Sequence, residues 1–356
     1  MRQTFRHLEQ AIRREGNPAF IPVYEHGVDL PIVSAVMGIG FDDLDLSSRD
    51  GMVRFWKRLI AFYDQMGYPA LSFEMGIHFA RIQTGSTRHD DIEDPVRRGW
   101  VDERNGPIAS WEDLENPANW PDIGAAFDYD VFEEVAALVP DHMQIVGGAS
   151  GGPFEHASFL MGLENLCVTL AEDEAFAETL FRKIGETLVG TATRLAAHDR
   201  LGIYRFGDDL GYKMATILSP DMLRQYVFPW QKRVVEAVHR AGKPFLLHSC
   251  GQLAEVMDDL IDEVGIDGKH SFEDVILPVE EAVERWGSRI AIFGGIDVDF
   301  LCRATPNEIR ERTLRTMDRC GRGGGYAIGS GNTITSYVPV DNYLALMGAV
   351  ASFNGT

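Results

Sequence analysis

The chain is short of positive charge. Its 356 residues carry 33 lysines and arginines against 54 aspartates and glutamates, a formal net charge of −21. That surface repels phosphate backbones and anionic lipid headgroups, so neither nucleic acid nor membrane is expected as a partner. Cysteine is scarce as well: Cys167, Cys250, Cys302 and Cys320 are scattered without short spacings. A disulfide framework is excluded, and the thiols read as reduced. Long hydrophobic runs are missing, since no window approaches the ~18 apolar residues of a membrane span. The opening "MRQTFRHLEQAIRREGNP" has helical spacing without the continuous apolar stretch of a signal peptide. The expected location is cytoplasmic.

What is present is material for a large core. The chain is 45% hydrophobic and 24% charged, close to the globular norm. Short apolar runs alternate with longer amphipathic segments. Eight runs read as strands: residues 20–26, 68–75, 143–150, 202–209, 244–250, 266–272, 289–297 and 324–332. Helix starts carry capping hydroxyls before first-turn prolines, at Ser219-Pro220 and Thr305-Pro306, and Gly242 follows a helix end. Eightfold alternation predicts an α/β fold, a (β/α)8 TIM barrel, with an open doubly wound sheet as the alternative. Nothing splits the chain, so residues 1–356 read as one domain with an N-terminal helical segment (1–18). Residues 84–124, polar and rich in Pro, Gly and Trp, break the rhythm. They read as an elaborated loop after strand two, folded over the barrel mouth.

Barrel chemistry collects at the C-terminal ends of the strands. In order, those ends deliver Glu25 and His26, Glu74, the glycines of 148–152, Asp208 and Asp209, and His248 and Cys250. His270 and Glu273, Asp297, and Ser330 and Asn332 complete the rim. In "GKPFLLHSCGQL" (242–253), His248 and Cys250 are two residues apart on a strand, so they share one face. Imidazole and thiolate together suit zinc, and a catalytic zinc takes three protein ligands plus an open position. A core histidine beside a buried cysteine is the bland alternative. Asp208 and Asp209 face opposite ways, so at most one aims inward. Each acid, with Glu74, is a candidate ligand or base, or else a helix cap. Glu25, His26, His270, Ser330 and Asn332 are candidate substrate contacts. "GGASGGPFE" (147–155) could cradle an anion but lacks nucleotide-binding spacing; close backbone approach is the simpler reading.

The stretches "PFLLHSCGQL", "RIAIFGGID" and "GGYAIGSGNTITSYVPVDNYLALMGAV" resemble the uroporphyrinogen decarboxylase superfamily, over nearly the whole chain. The likeness points to its corrinoid-dependent methyltransferases, of the methylcobalamin:coenzyme M type. The resemblance implies a (β/α)8 barrel and a zinc held by the His and Cys of this motif with a second Cys after strand eight. It also implies an acceptor thiol that takes a methyl group from a corrinoid, methylcobalamin, carried as co-substrate on a partner protein. His248 and Cys250 match the motif. The second-Cys position, seven residues before Pro339, is Asn332. A carboxylate from Asp208, Asp209 or Glu74 would then complete the metal, and a pterin is as compatible an acceptor as a thiol. The decarboxylase proper is expected to carry arginines after strand one, where this chain reads "VYEHGVDLP". The expectation is therefore a metal-dependent methyltransferase. A decarboxylase or lyase acting on a small carboxylate or tetrapyrrole, and a non-catalytic binding protein, are the alternatives. The oligomeric state is left open, a homodimer included.

Overall fold

Seven of the eight expected strands form one parallel sheet. They are β1 (Ala70–Met75), β2 (Gln144–Ala149), β3 (Leu201–Gly207), β4 (Phe245–His248), β5 (Gly268–His270), β6 (Ala291–Phe293) and β7 (Tyr326–Ala327), hydrogen-bonded in that order. The computed structural model describes residues 3–17, 19–80, 84–85, 100–101 and 105–355. Parallel strands need crossovers, and amphipathic helices supply them: Glu174–Ala196 leads into β3, Phe228–Arg240 into β4 and Pro306–Cys320 toward β7. Their starts are capped as expected. Ser219 accepts from Met222 N–H, and Thr305 forms a capping box with Glu308.

The first expected strand, 20–26, departs from that pattern. It contributes only isolated parallel bridges, Val23 with Ile328 and, just beyond it, Val28 with Ile334. On its other side the Ser72 hydroxyl of β1 donates to the His26 carbonyl. The segment therefore lies between β7 and β1 and curls the sheet toward closure without a regular ladder. Pro22 has no N–H to give to a ladder, which accounts for part of the irregularity.

The core has two layers. One lies between the sheet and the surrounding helices. The other fills the inside of the curled sheet, where Val146, Ile203, Leu246, Ala291, Phe293 and Ala327 meet Phe5, Leu8, Ala11 and Ile12. Those last four belong to the N-terminal helix Phe5–Ile12, which plugs the N-terminal end of the strands. The approach is close enough that a Cβ at Gly202 would lie 2.1 Å from the Phe5 ring. With one end plugged, chemistry is left to the C-terminal rim.

The expected loop 84–124 is more structured than a loop where it is described. Thr84–Gly85 pairs antiparallel with Trp100–Val101, and Trp111–Glu115 is a helix capped by Ser110. Ile108 and Gly106 hydrogen-bond to the end of the helix Pro153–Met161, and Ile108 is fully buried. Residues 86–99 and 102–104 of that segment lie outside the described residues.

Candidate metal centre at the strand ends

β4 stops at His248, and the chain turns through Ser249, Cys250 and Gly251. Cys250 Sγ lies 3.6 Å from His248 Nε2. Asp209, just past the end of β3, brings Oδ1 to 3.9 Å from the same nitrogen and accepts the Cys250 N–H at 2.8 Å. The three donor atoms all lie within 4.8 Å of one another. Tetrahedral zinc, with bonds of about 2.0–2.3 Å, sets its ligand atoms about 3.3–3.8 Å apart. The donor set is of the kind zinc takes, the His–Cys spacing falls in that range and the His–Asp spacing lies just above it.

A second group, His26, His248 and His270, is equally close-packed. Hydrogen bonding separates the two. His270 Nε2 lies 3.3 Å from the Ser330 carbonyl, which can only accept. Burial keeps His270 neutral, pushing it down to about 3, so Nε2 carries the proton and Nδ1 a lone pair. His248 Nδ1, 2.8 Å away, is therefore the donor in that pair. Burial, then His270 and Arg205, hold His248 well below the ordinary histidine value. Its Nε2 is left bare, facing Cys250 and Asp209.

His26 has no such lone pair to offer. Its Nδ1 accepts from the Arg205 guanidinium, so Nε2 bears the proton, 3.8 Å from Glu74. The buried Arg205 charge also opposes a second cation beside it. The three-histidine group is thus a poor metal site, and the His248–Cys250–Asp209 group is the better one.

The sulfur accepts two further hydrogen bonds, from Asn332 Nδ2 and from Ser271 Oγ, each at 3.3 Å. Asn332 thus stands beside the thiol as an amide donor. Burial first, then Asp209, push the Cys250 thiol up to about 12. A bound dication reverses that preference, because a coordinating thiol is deprotonated.

The two adjacent aspartates, both just past the end of β3 at Gly207, divide in role. Asp208 is fully buried and accepts from the N–H groups of Phe154 and Glu155 and from Gln231 Nε2. It caps the helix Pro153–Met161, and burial pushes it up to about 7. The anion held by the glycine-rich turn is therefore the protein's own Asp208. Gly152 is obligatory there, since a Cβ would lie 2.3 Å from the Asp208 carboxyl carbon. Asp209 alone reaches the His248–Cys250 pair.

Glu25 and Ser330 occupy each other rather than the open rim. Ser330 donates its N–H at 2.8 Å and its hydroxyl to the Glu25 carboxylate, with both residues buried. Burial pushes Glu25 up to about 8. The Ser330 carbonyl in turn fixes His270, so Glu25, Ser330, His270 and His248 form one relay of hydrogen bonds. Glu74 is half-buried and paired with Arg205 at 2.7 Å. Asp297 caps the helix Val298–Arg303.

Sequence reading missed Arg205, Glu155, Ser271 and Lys269. A charge inside the buried run "GIYRFG" was itself a signal, as was the lysine in "GKH". Glu155 accepts the Asp209 N–H at 3.3 Å and lines a cavity of about 710 Å³ with Glu74, Phe79 and Phe159. Asn332 lines a separate one of about 1160 Å³ with Glu273, Phe272, Phe300 and Tyr337. The thiol centre is linked to one cavity through Asn332 and to the other through Glu155.

Residues 103–353, well over half of the chain, match the family model described as uroporphyrinogen decarboxylase (URO-D). The chain belongs to the URO-D family. A uroporphyrinogen decarboxylase from Anaeromyxobacter sp. (strain Fw109-5) is 28% identical over 246 residues, 67% of each chain. One from Coxiella burnetii (strain RSA 493 / Nine Mile phase I) is 23% identical over 261 residues, 70% of this chain and 69% of its own. Among solved structures, a methyltransferase from Methanosarcina mazei superposes with a TM-score of 0.71 at 17% identity, covering 99% of both chains. That likeness supports a TIM-barrel-like fold here. No helix among the described residues is long and apolar enough to cross a membrane.

Proposed function

We infer that this URO-D family member is a metal-dependent methyltransferase, moving a methyl group between a corrinoid and a thiol or pterin acceptor. One observation carries the reading: a bare imidazole nitrogen, a thiol and a carboxylate converge on one point at the rim. His248 Nε2, Cys250 Sγ and Asp209 Oδ1 would hold zinc, with Asp209 taking the role expected of a second cysteine. Zinc held there would supply a Lewis-acid centre that favours the anionic form of a bound acceptor. The protein's own residues prepare the place. His270 fixes the His248 tautomer, Asn332 and Ser271 orient the sulfur, and Asp209 is held by the Cys250 N–H. Two cavities linked to one centre suit a reaction with two substrates, a donor and an acceptor.

In this reading the segment 20–26 is the eighth stave of a single-domain (β/α)8 barrel, Glu74 and Glu155 face the substrate, and a corrinoid protein is the macromolecular partner. A cytoplasmic enzyme fits the reduced cysteines.

The names of the curated relatives favour a second reading, decarboxylation of a tetrapyrrole carboxylate. The site argues against it. Residues 24–29 hold Glu25 and Asp29 and no arginine, and Arg205 is already engaged by Glu74 and His26. The two are separated by assaying zinc-loaded protein for methylcobalamin demethylation with a panel of thiols and pterins, and for CO2 release from uroporphyrinogen. Demethylation dependent on Cys250 supports the transferase; CO2 release without demethylation overturns it.

A further inference from the structure

Lys269 lies on β5, one residue before His270, and its side chain is buried on the opposite side of the strand. No carboxylate pairs with it among the described residues. Instead its Nζ donates to the carbonyls of Ser271 at 2.7 Å, Ser249 at 3.1 Å and His270 at 3.4 Å, and lies 4.3 Å from the Phe272 ring centre. An ammonium has three protons, and three carbonyls take them. A buried cation is costly, so this one is held where its contacts are needed.

Its contacts sit where the β4–β5 ladder gives out. The last backbone bond between the two strand ends runs from Ser249 N–H to the His270 carbonyl. Beyond it, the ammonium ties the carbonyl of Ser249, which precedes Cys250, to that of Ser271. Ser271 is left-handed, with φ of 87°, a conformation that side chains other than glycine rarely adopt. In that conformation its hydroxyl reaches Cys250 Sγ at 3.3 Å.

We propose that Lys269 is a positioning residue for Cys250, clipping the ends of β4 and β5 so that left-handed Ser271 aims its hydroxyl at the sulfur. Lys269 touches no reacting atom and acts through Ser271. The structural part stands on geometry alone. Its consequence for metal binding rests on the proposed zinc at His248, Cys250 and Asp209, where a lost outer partner typically lowers affinity about 10–100-fold.

The test uses Lys269→Met, Ser271→Gly and the double variant. Glycine keeps the left-handed turn without strain and removes the small hydroxymethyl group, so Ser271→Gly is expected to fold at least as stably as wild type. Crystal structures of the metal-free proteins come first. In Lys269→Met the Ser271 hydroxyl is expected beyond hydrogen-bond reach of Cys250 Sγ; an unchanged contact overturns the proposal. Zinc competition titrations come second. Each single variant is expected to lose at least tenfold in affinity, and the double variant no more than either single one. Losses that multiply in the double variant mean that Lys269 does not act through Ser271, and overturn it. Wild-type protein that binds no zinc sinks the metal reading, while the crystallographic comparison still decides the clip.

Discussion

His248 and His270 share one proton between their Nδ1 atoms, 2.8 Å apart, and the direction of that bond sets the chemistry of the rim. Because His270 spends its own proton on the Ser330 carbonyl, His248 must donate, and its outer nitrogen is left bare. His270→Phe removes the acceptor and frees the His248 ring. The fold is expected to survive, while zinc affinity falls about 10–100-fold in a chelator-competition titration. Unchanged affinity would mean that the tautomer is fixed by something else.

Glu25 carries a pH dependence whose sign is set by burial. Its carboxyl is pushed from 4.5 up to about 8 in the folded chain. Between those values the folded protein holds one proton more than the unfolded one, so stability falls as pH rises, by roughly 1.4 kcal/mol per unit. The contribution is fully present below pH 4.5 and lost above about 8. Glu25→Gln keeps an acceptor for the Ser330 N–H and a donor for its hydroxyl, with no charge to bury. Urea midpoints at pH 5 and pH 8 should show the variant gaining on wild type at the higher pH; parallel curves would contradict this.

Arg205 and Glu74 are unequal partners. The arginine side chain is fully buried, whereas that of Glu74 is 31% exposed. Glu74→Ala strands a buried cation and is expected to cost about 3–5 kcal/mol in denaturant unfolding. Arg205→Met leaves a carboxylate that water can still reach, and should cost less. The reverse order would show that the guanidinium is held mainly by His26 and the carbonyls around it.

Asp208 and Asp209 are adjacent in sequence and separate in role. Asp208→Ala removes a buried cap and strands two N–H groups, an expected loss of about 2 kcal/mol with little direct effect on the metal. Asp209→Ala should change stability by under about 1 kcal/mol and weaken zinc binding instead. Paired thermal and zinc titrations of the two variants check this; equal effects on both readouts would contradict the division.

Much of the fold was legible because its physics is periodic. Seven of eight apolar runs became strands, and Ser219 and Thr305 cap their helices as their spacing implied. The run 20–26 did not form a ladder, since its alternation says nothing about whether Pro22 and its neighbours can pair. At the site, His248 and Cys250 do meet, although the strand ends at His248 and it is the turn through Ser249, not strand alternation, that brings the thiol round. Asp208 and Asp209 point different ways although both lie past the end of their strand at Gly207. Which one reaches the thiol was not legible, because it depends on the helix that Asp208 caps. The partners of Arg205 and the Glu25–Ser330 contact lie more than a hundred residues apart in sequence, and composition carries no trace of such partners.

The most direct measurement is the metal content of protein expressed with zinc and purified without chelator, combined with X-ray absorption at the zinc edge. Near-stoichiometric zinc with one sulfur and at least one imidazole nitrogen in its shell is expected, lost in Cys250→Ser and weakened in Asp209→Ala. Wild-type protein that stays metal-free, or a Cys250→Ser variant that binds zinc as fully as wild type, would contradict a metal centre at His248, Cys250 and Asp209.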